Sequence, residues 1–175
     1  MRLSEFIFKG VNFTSIYGRE GTGKTSIAMQ VAKELNPVYY ISTEGQAHLK
    51  LERLKLGERG FVSYAFTPEE FKVSLAQVAD INCLNLIVVD AMNSIYRQTW
   101  NLRDLYVPLA LLRSLSEKGI KVLAIWETSA NNKVAGEKLM RAYSERVLRV
   151  TGRFILGNNE RCEYRITDDG VLGCL

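Results

Sequence analysis

Apolar positions recur along the chain with two alternating periods. Residues 12–17 (NFTSIY) alternate in polarity and run into a glycine-rich turn, which predicts a strand. Over 24–35 (KTSIAMQVAKEL), Ile27, Val31 and Leu35 fall one helical turn apart. That spacing predicts an amphipathic helix, stopped by Asn36-Pro37. Residues 38–42 (VYYIS) are β-branched and aromatic and predict a second strand. A helix is expected over 46–56, ending at Gly57, and a third strand over 61–66. Thr67-Pro68-Glu69-Glu70 opens another helix: Thr67 can cap it, Pro68 suits its first turn and Glu70 completes a capping box. The run 84–90 (LNLIVVD) stays apolar until its final acid, as a strand buried on both faces does. Residues 101–118 carry Leu105, Leu109, Leu112 and Leu115 on one helical face, with Gly119 as terminator, and 120–126 predict a fifth strand.

Strands alternating with helices give an α/β fold with a mainly parallel central sheet flanked by helices. The tail breaks that rhythm. Residues 145–156 and 161–167 are strand-like and joined by Gly157-Asn158-Asn159-Glu160, so a C-terminal antiparallel hairpin is expected. No repeat or linker interrupts the chain, and 175 residues fit a single domain over 1–175.

Composition narrows the class. A hydrophobic content of 47% suffices for a core, and 3 Pro with 13 Gly exclude a low-complexity chain. No apolar run approaches the ~18 residues of a membrane span. The first ten residues, with Arg2, Glu5 and Lys9, lack the apolar centre of a signal peptide. A cytoplasmic protein without membrane contact is expected. Cys83, Cys162 and Cys174 are odd in number and show no CxxC spacing. They read as small buried hydrophobes rather than a disulfide framework or zinc site.

The net charge of +4 is unevenly placed. Between 133 and 165 stand Lys133, Lys138, Arg141, Arg146, Arg149, Arg153, Arg161 and Arg165, against Glu137, Glu145, Glu160 and Glu163. The stretch is either a polyanion-binding face or a solvated surface of mixed sign.

The sharpest chemical signal is Gly18-Arg19-Glu20-Gly21-Thr22-Gly23-Lys24-Thr25, followed by Ser26. It matches G-x-x-x-x-G-K-[ST] in full and lies between a predicted strand and a predicted helix. Glycines let backbone N–H groups surround a phosphate, and the helix N-terminus adds partial positive charge. Lys24 can reach the β- and γ-phosphates of ATP, and Thr25 offers a hydroxyl to Mg²⁺. Asp90 ends an apolar strand at the edge that faces the ligand crevice, and is the candidate second Mg²⁺ ligand. Hydrolysis needs a group that orients or deprotonates water. Ala91 follows Asp90, so no second acid stands there. Glu44, just beyond the VYYIST strand, is the candidate catalytic carboxylate, the other reading being a loop residue or helix cap.

Beyond these motifs, FTSIYGREGTGKTSIAMQVA, VYYISTEG and LIVVDAMNSIYR resemble the RecA/RadA recombinase superfamily, most like its archaeal RadB-type paralogues. GIKVLAIWE, VAGEKLMRAYSERVLRV and CEYRITDDGVL extend the resemblance over roughly residues 8–173. The resemblance implies a RecA-like P-loop ATPase core acting in DNA recombination and repair. It implies that Glu44 of Thr-Glu-Gly is the catalytic carboxylate. It implies a first DNA-facing loop near Tyr96, Arg97 and Arg103, and a second over 129–136 (SANNKVAG). The chain departs from the family in several places. No Phe-x-x-Ala segment or helical N-terminal domain precedes the P-loop, and the second loop is short. Ala91 stands for Ser, Trp126 for Asn, and Glu127 for the Gln that senses the γ-phosphate. These departures point to an accessory protein that binds ATP and Mg²⁺, contacts single-stranded DNA and assists a full-length RadA-type recombinase.

Glu127 is expected at the C-terminal edge of the sheet near the γ-phosphate. An ionised carboxylate there repels phosphate, so the side chain is expected to turn away; a water-orienting or metal-linked role is the other outcome. Trp126 and Trp100 are candidates to stack on bases, against core packing. His48 reads as an exposed surface residue, and Tyr39 and Tyr40 as strand packing. Three functions stay open: a slow DNA-linked ATPase, a non-hydrolysing ATP-dependent interaction module, and a small-molecule kinase.

Overall fold

The computed structural model describes residues 1–44 and 60–174. The helix expected over 46–56, its terminator Gly57 and His48 lie outside them. In chain order the elements are α1 (Leu3–Phe8), β1 (Phe13–Gly18), α2 (Lys24–Glu34), β2 (Val38–Ser42), β3 (Gly60–Tyr64) and α3 (Pro68–Asp80). Then come β4 (Leu86–Asp90), α4 (Ser94–Thr99), α5 (Arg103–Glu117), β5 (Lys121–Glu127) and α6 (Glu137–Tyr143). Four strands close the chain: β6 (Arg146–Val150), β7 (Phe154–Gly157), β8 (Glu160–Thr167) and β9 (Gly170–Gly173).

Among the described residues, nine strands form one sheet in the order β3-β2-β4-β5-β1-β6-β7-β8-β9. The pairs from β3 through β6 are all parallel, and those from β6 to β9 antiparallel. The strands β2, β4 and β5 are largely apolar runs because both of their faces are covered, and β1 is buried between β5 and β6 with Thr14 and Ser15 inside. On one face α1 and α2 pack Leu3, Phe6, Ile7, Ile27 and Val31 onto Ile16, Tyr40, Leu123 and Leu148. On the other, α3 to α6 bring Phe71, Leu75, Ile95, Leu105, Leu109, Leu112 and Met140 against Phe13, Ile41, Val89 and Trp126. Thr67 caps α3 as predicted, accepting from Glu70 N–H at 3.1 Å, while Glu70 reaches back to Phe66 N–H at 3.0 Å.

Four expectations are corrected. Residues 145–156 are not one strand: they turn at Gly152, in the left-handed region at φ 93°, so β6 joins β1 as a sixth parallel strand and the hairpin is β7–β8. The apolar pattern is equally strand-like on both sides of that turn, which hides it in the sequence. The short helix α1 was not predicted, nor was α4, which occupies the segment expected to be a DNA-facing loop. Cys162 and Cys174 form a disulfide rather than standing apart, because the β8–β9 hairpin brings their Cα atoms to 4.4 Å. Cys83 is exposed rather than buried.

Candidate functional site

β1 ends and α2 begins six residues apart, and the loop between them is shaped by what presses on it. A Cβ at Gly18 would meet the Val150 carbonyl oxygen of β6 at 2.3 Å, so a side chain is excluded there. Gly23, the N-cap of α2, has φ 90°, which glycine adopts without steric penalty. Inside the loop Thr22 Oγ1 donates to Arg19 O at 2.8 Å. From outside, the Tyr164 hydroxyl of β8 donates to Thr22 O. Arg19 Nε donates to Asn132 Oδ1 at 2.7 Å, tying the loop to the segment after β5. Lys24 is buried, and its Nζ donates to the carbonyls of Gly18 and Arg19 at 2.8 Å each.

The parallel register carries three further strand ends to the same edge. Ser42 of β2 pairs with Asp90 of β4, which pairs with Ile125 of β5, while Gly18 pairs with Glu127. Asp90 is buried, and its Oδ2 accepts from Thr25 Oγ1 at 2.7 Å and from the Tyr40 hydroxyl at 2.8 Å. Burial, then the neighbouring Asp90 charge, pushes the Tyr40 hydroxyl well above its ordinary range, so it stays a donor. The Asp90–Ala91 peptide is cis. Thr43 Oγ1 accepts from Ala91 N–H at 2.8 Å and donates to Ala91 O at 2.7 Å. The Thr25 hydroxyl and Asp90 carboxylate form a pair of hard oxygen donors of the kind Mg²⁺ takes alongside phosphate and water.

Glu44 stands exposed beyond β2, its Oε1 accepting from Ser94 Oγ at 3.2 Å. Glu127 does not turn away. Its Oε2 lies 3.5 Å from Lys24 Nζ. Burial chiefly raises its pKa; Lys24 opposes the rise, and Glu44 and Asp90 reinforce it. The reason is backbone placement: β5 delivers residue 127 beside Gly18, within reach of the Lys24 ammonium. Sequence reasoning missed Asn93. Fully buried, it accepts from Glu127 N–H at 3.0 Å and donates to the carbonyls of Glu127 and Ala135 at 3.0 and 3.2 Å. Its signal was an uncharged amide just past the strand-ending acid, in the run Ala91-Met92-Asn93-Ser94-Ile95.

Other candidates separate in space. Trp126 is fully buried and donates its Nε1–H to Ser15 Oγ at 2.9 Å, so it is a core residue and not a base platform. Trp100 is 67% exposed and meets Tyr96 edge-on at 5.4 Å, and Arg97 and Arg103, close by in sequence, are exposed as well. The segment 128–134 is a compact turn closed by a Thr128–Val134 bridge. Of the basic residues, Arg141 pairs with Glu137, Arg146 with Glu160 and Arg153 with Glu163. Arg149 lies opposite Leu156 and Leu156 opposite Arg161, so both arginines share a sheet face with Arg165. A cavity of about 470 Å³ opens between the P-loop and this face, with Arg19, Thr128, Asn132 and Arg149 in its lining. Among the described residues no helix is long and apolar enough to cross a membrane.

No protein-family profile matches the chain. The DNA repair and recombination protein RadB of Archaeoglobus fulgidus is 33% identical over 95 residues, covering 48% of this chain and 42% of the relative. The match therefore spans less than half of that relative's length. Among solved structures, the RadB recombinase superposes with TM-score 0.67 at 19% identity, over 95% of this chain and 94% of that one. A KaiC-like protein of Pyrococcus horikoshii superposes with TM-score 0.69 at 16% identity, over 97% and 94%. The fold is the RecA-like α/β fold that these structures share, and the likeness is to the RecA/RadA superfamily, of the RadB type.

Proposed function

For a RadB-like chain of the RecA/RadA superfamily, we propose ATP binding at the P-loop, slow hydrolysis, and an accessory part in DNA recombination and repair beside a full-length RadA-type recombinase. The observation that carries this reading is a complete P-loop whose Thr25 hydroxyl lies 2.7 Å from Asp90 at the shared strand edge. Gly18 to Ser26 would wrap the phosphates with backbone N–H groups, and Lys24 would hold the β- and γ-phosphates. Thr25 and Asp90 would hold Mg²⁺, which supplies compensation of phosphate charge. Glu44, free on its solvent side, would orient the attacking water. Exposed Trp100 with Arg97 and Arg103, and the arginine face of β6 and β8, are the surfaces offered to single-stranded DNA.

Ser94 engages the Glu44 carboxylate, an arrangement that also suits a module which binds ATP without hydrolysing it. One experiment separates the readings: titration of ATP and measurement of single-turnover hydrolysis, with and without single-stranded DNA. Lys24→Ala should lower ATP affinity or turnover at least tenfold, about 1.4 kcal/mol. Glu44→Gln should keep ATP bound while hydrolysis falls by about 10²-fold. A folded Lys24→Ala protein with unchanged binding and turnover would remove the nucleotide reading. Bound ATP that never turns over in the unaltered chain would leave the non-hydrolysing module.

A further inference from the structure

An ammonium carries three donors. Lys24 directs its group at three oxygens: the Gly18 and Arg19 carbonyls at 2.8 Å and the Glu127 carboxylate at 3.5 Å. The pair is sheltered, with side-chain exposures of 4% and 17%. Glu127 is held from behind. Both its backbone N–H and its carbonyl are bonded to the Asn93 amide, and β5 is locked to β1 through Gly18. The charges of Glu44 and Asp90 oppose that of Glu127, so among the described residues Lys24 is the cation that compensates it.

We infer that Glu127 is the resident counter-ion of the P-loop lysine, a specificity-determining carboxylate that an incoming phosphate chain must displace from Lys24. This rests on the nucleotide reading above. A ligand with one phosphate exchanges one anion for another at Lys24 and gains little. A chain of two or more phosphates also engages the loop N–H groups, and that surplus drives the exchange. The length of the phosphate chain, rather than its charge alone, therefore decides entry.

The exchange has a testable asymmetry. Removing the carboxylate leaves Lys24 a buried and uncompensated cation in the free protein, which is destabilising. The phosphate-bound form, where Lys24 has a new anion, loses nothing. The substitution thus weakens the free protein and strengthens binding, two opposite movements that removal of a merely structural side chain does not produce.

The test is calorimetric titration with ATP, pyrophosphate and inorganic phosphate, paired with thermal unfolding. It uses the full chain, Glu127→Gln, and Glu127→Ser as a second removal of the same charge. Pyrophosphate and ATP should bind Glu127→Gln about tenfold more tightly than the unaltered chain, equivalent to about 1.4 kcal/mol. Inorganic phosphate should show no measurable binding to the unaltered chain and should bind the variant. The unliganded Tm should fall while the ligand-induced rise in Tm grows. Equal or weaker binding in the folded variants overturns the proposal and leaves the nucleotide reading standing. An unaltered chain that binds neither ATP nor pyrophosphate overturns both.

Discussion

At the scale of single residues, the site is held by side chains that do no chemistry themselves. Asn93, itself fully buried, joins the end of β5 to the segment after it through three hydrogen bonds. Asn93→Ala would remove the partner of a half-buried backbone N–H and two half-buried carbonyls. The expected loss is about 2–4 kcal/mol, read as a lower urea midpoint at unchanged slope. The acids and the lysine were legible from motif spacing, because that spacing encodes which strand ends meet a phosphate. Tyr40 was not: its strand pattern announces packing, and nothing local shows that its hydroxyl reaches Asp90 across to β4. The direction of Glu127 was also hidden, since it depends on where the Lys24 amine lies rather than on the carboxylate's own neighbours in sequence.

At the scale of elements, the β8–β9 hairpin acts as a clamp on the phosphate loop. Tyr164 bonds Thr22, and the Ile166 side chain fills the space above Gly23. On the same face of β8, Cys162 is bridged to Cys174 across 12 residues. Closing a ring of that size stabilises by about 2–3 kcal/mol in the chain-entropy account. Reduction should therefore loosen β9 first. In hydrogen exchange, amides of residues 170–173 should speed up while those of β1, β4 and β5 hold their protection. Uniform acceleration across all of these strands would show that the hairpin is not an independent unit. Cysteine count and spacing gave no access to this bridge, because an odd number with no motif leaves pairing to tertiary contact.

At the scale of the whole molecule, parallel strands covered on both faces deliver Gly18, Asp90 and Glu127 to one edge, with Glu44 just beyond the adjoining strand. The apolar runs of β2, β4 and β5, and the glycine-rich turn after β1, made this half of the fold readable. The antiparallel half was less readable, since a strand that changes partner at a glycine looks like one that continues. Charge is partitioned in the same way. Arg141, Arg146 and Arg153 are spent in ion pairs, while Arg149, Arg161 and Arg165 lie on the open face of β6 and β8. If single-stranded DNA tracks that face, replacing the latter three with Gln should flatten the log–log salt dependence of binding by about 2, at about 0.7 per phosphate contact. The same replacement at the three paired arginines should change it little. Equal effects of the two triple variants would show that the strand runs elsewhere.

The two tryptophans fall at opposite extremes of exposure, Trp126 sealed in the core and Trp100 in solvent. The chain thus carries two natural fluorophores with different access to a dissolved quencher. Quenching that silences Trp100 leaves Trp126, covalently joined to Glu127 and hydrogen-bonded to β1, as an intrinsic optical reporter at the edge of the phosphate loop.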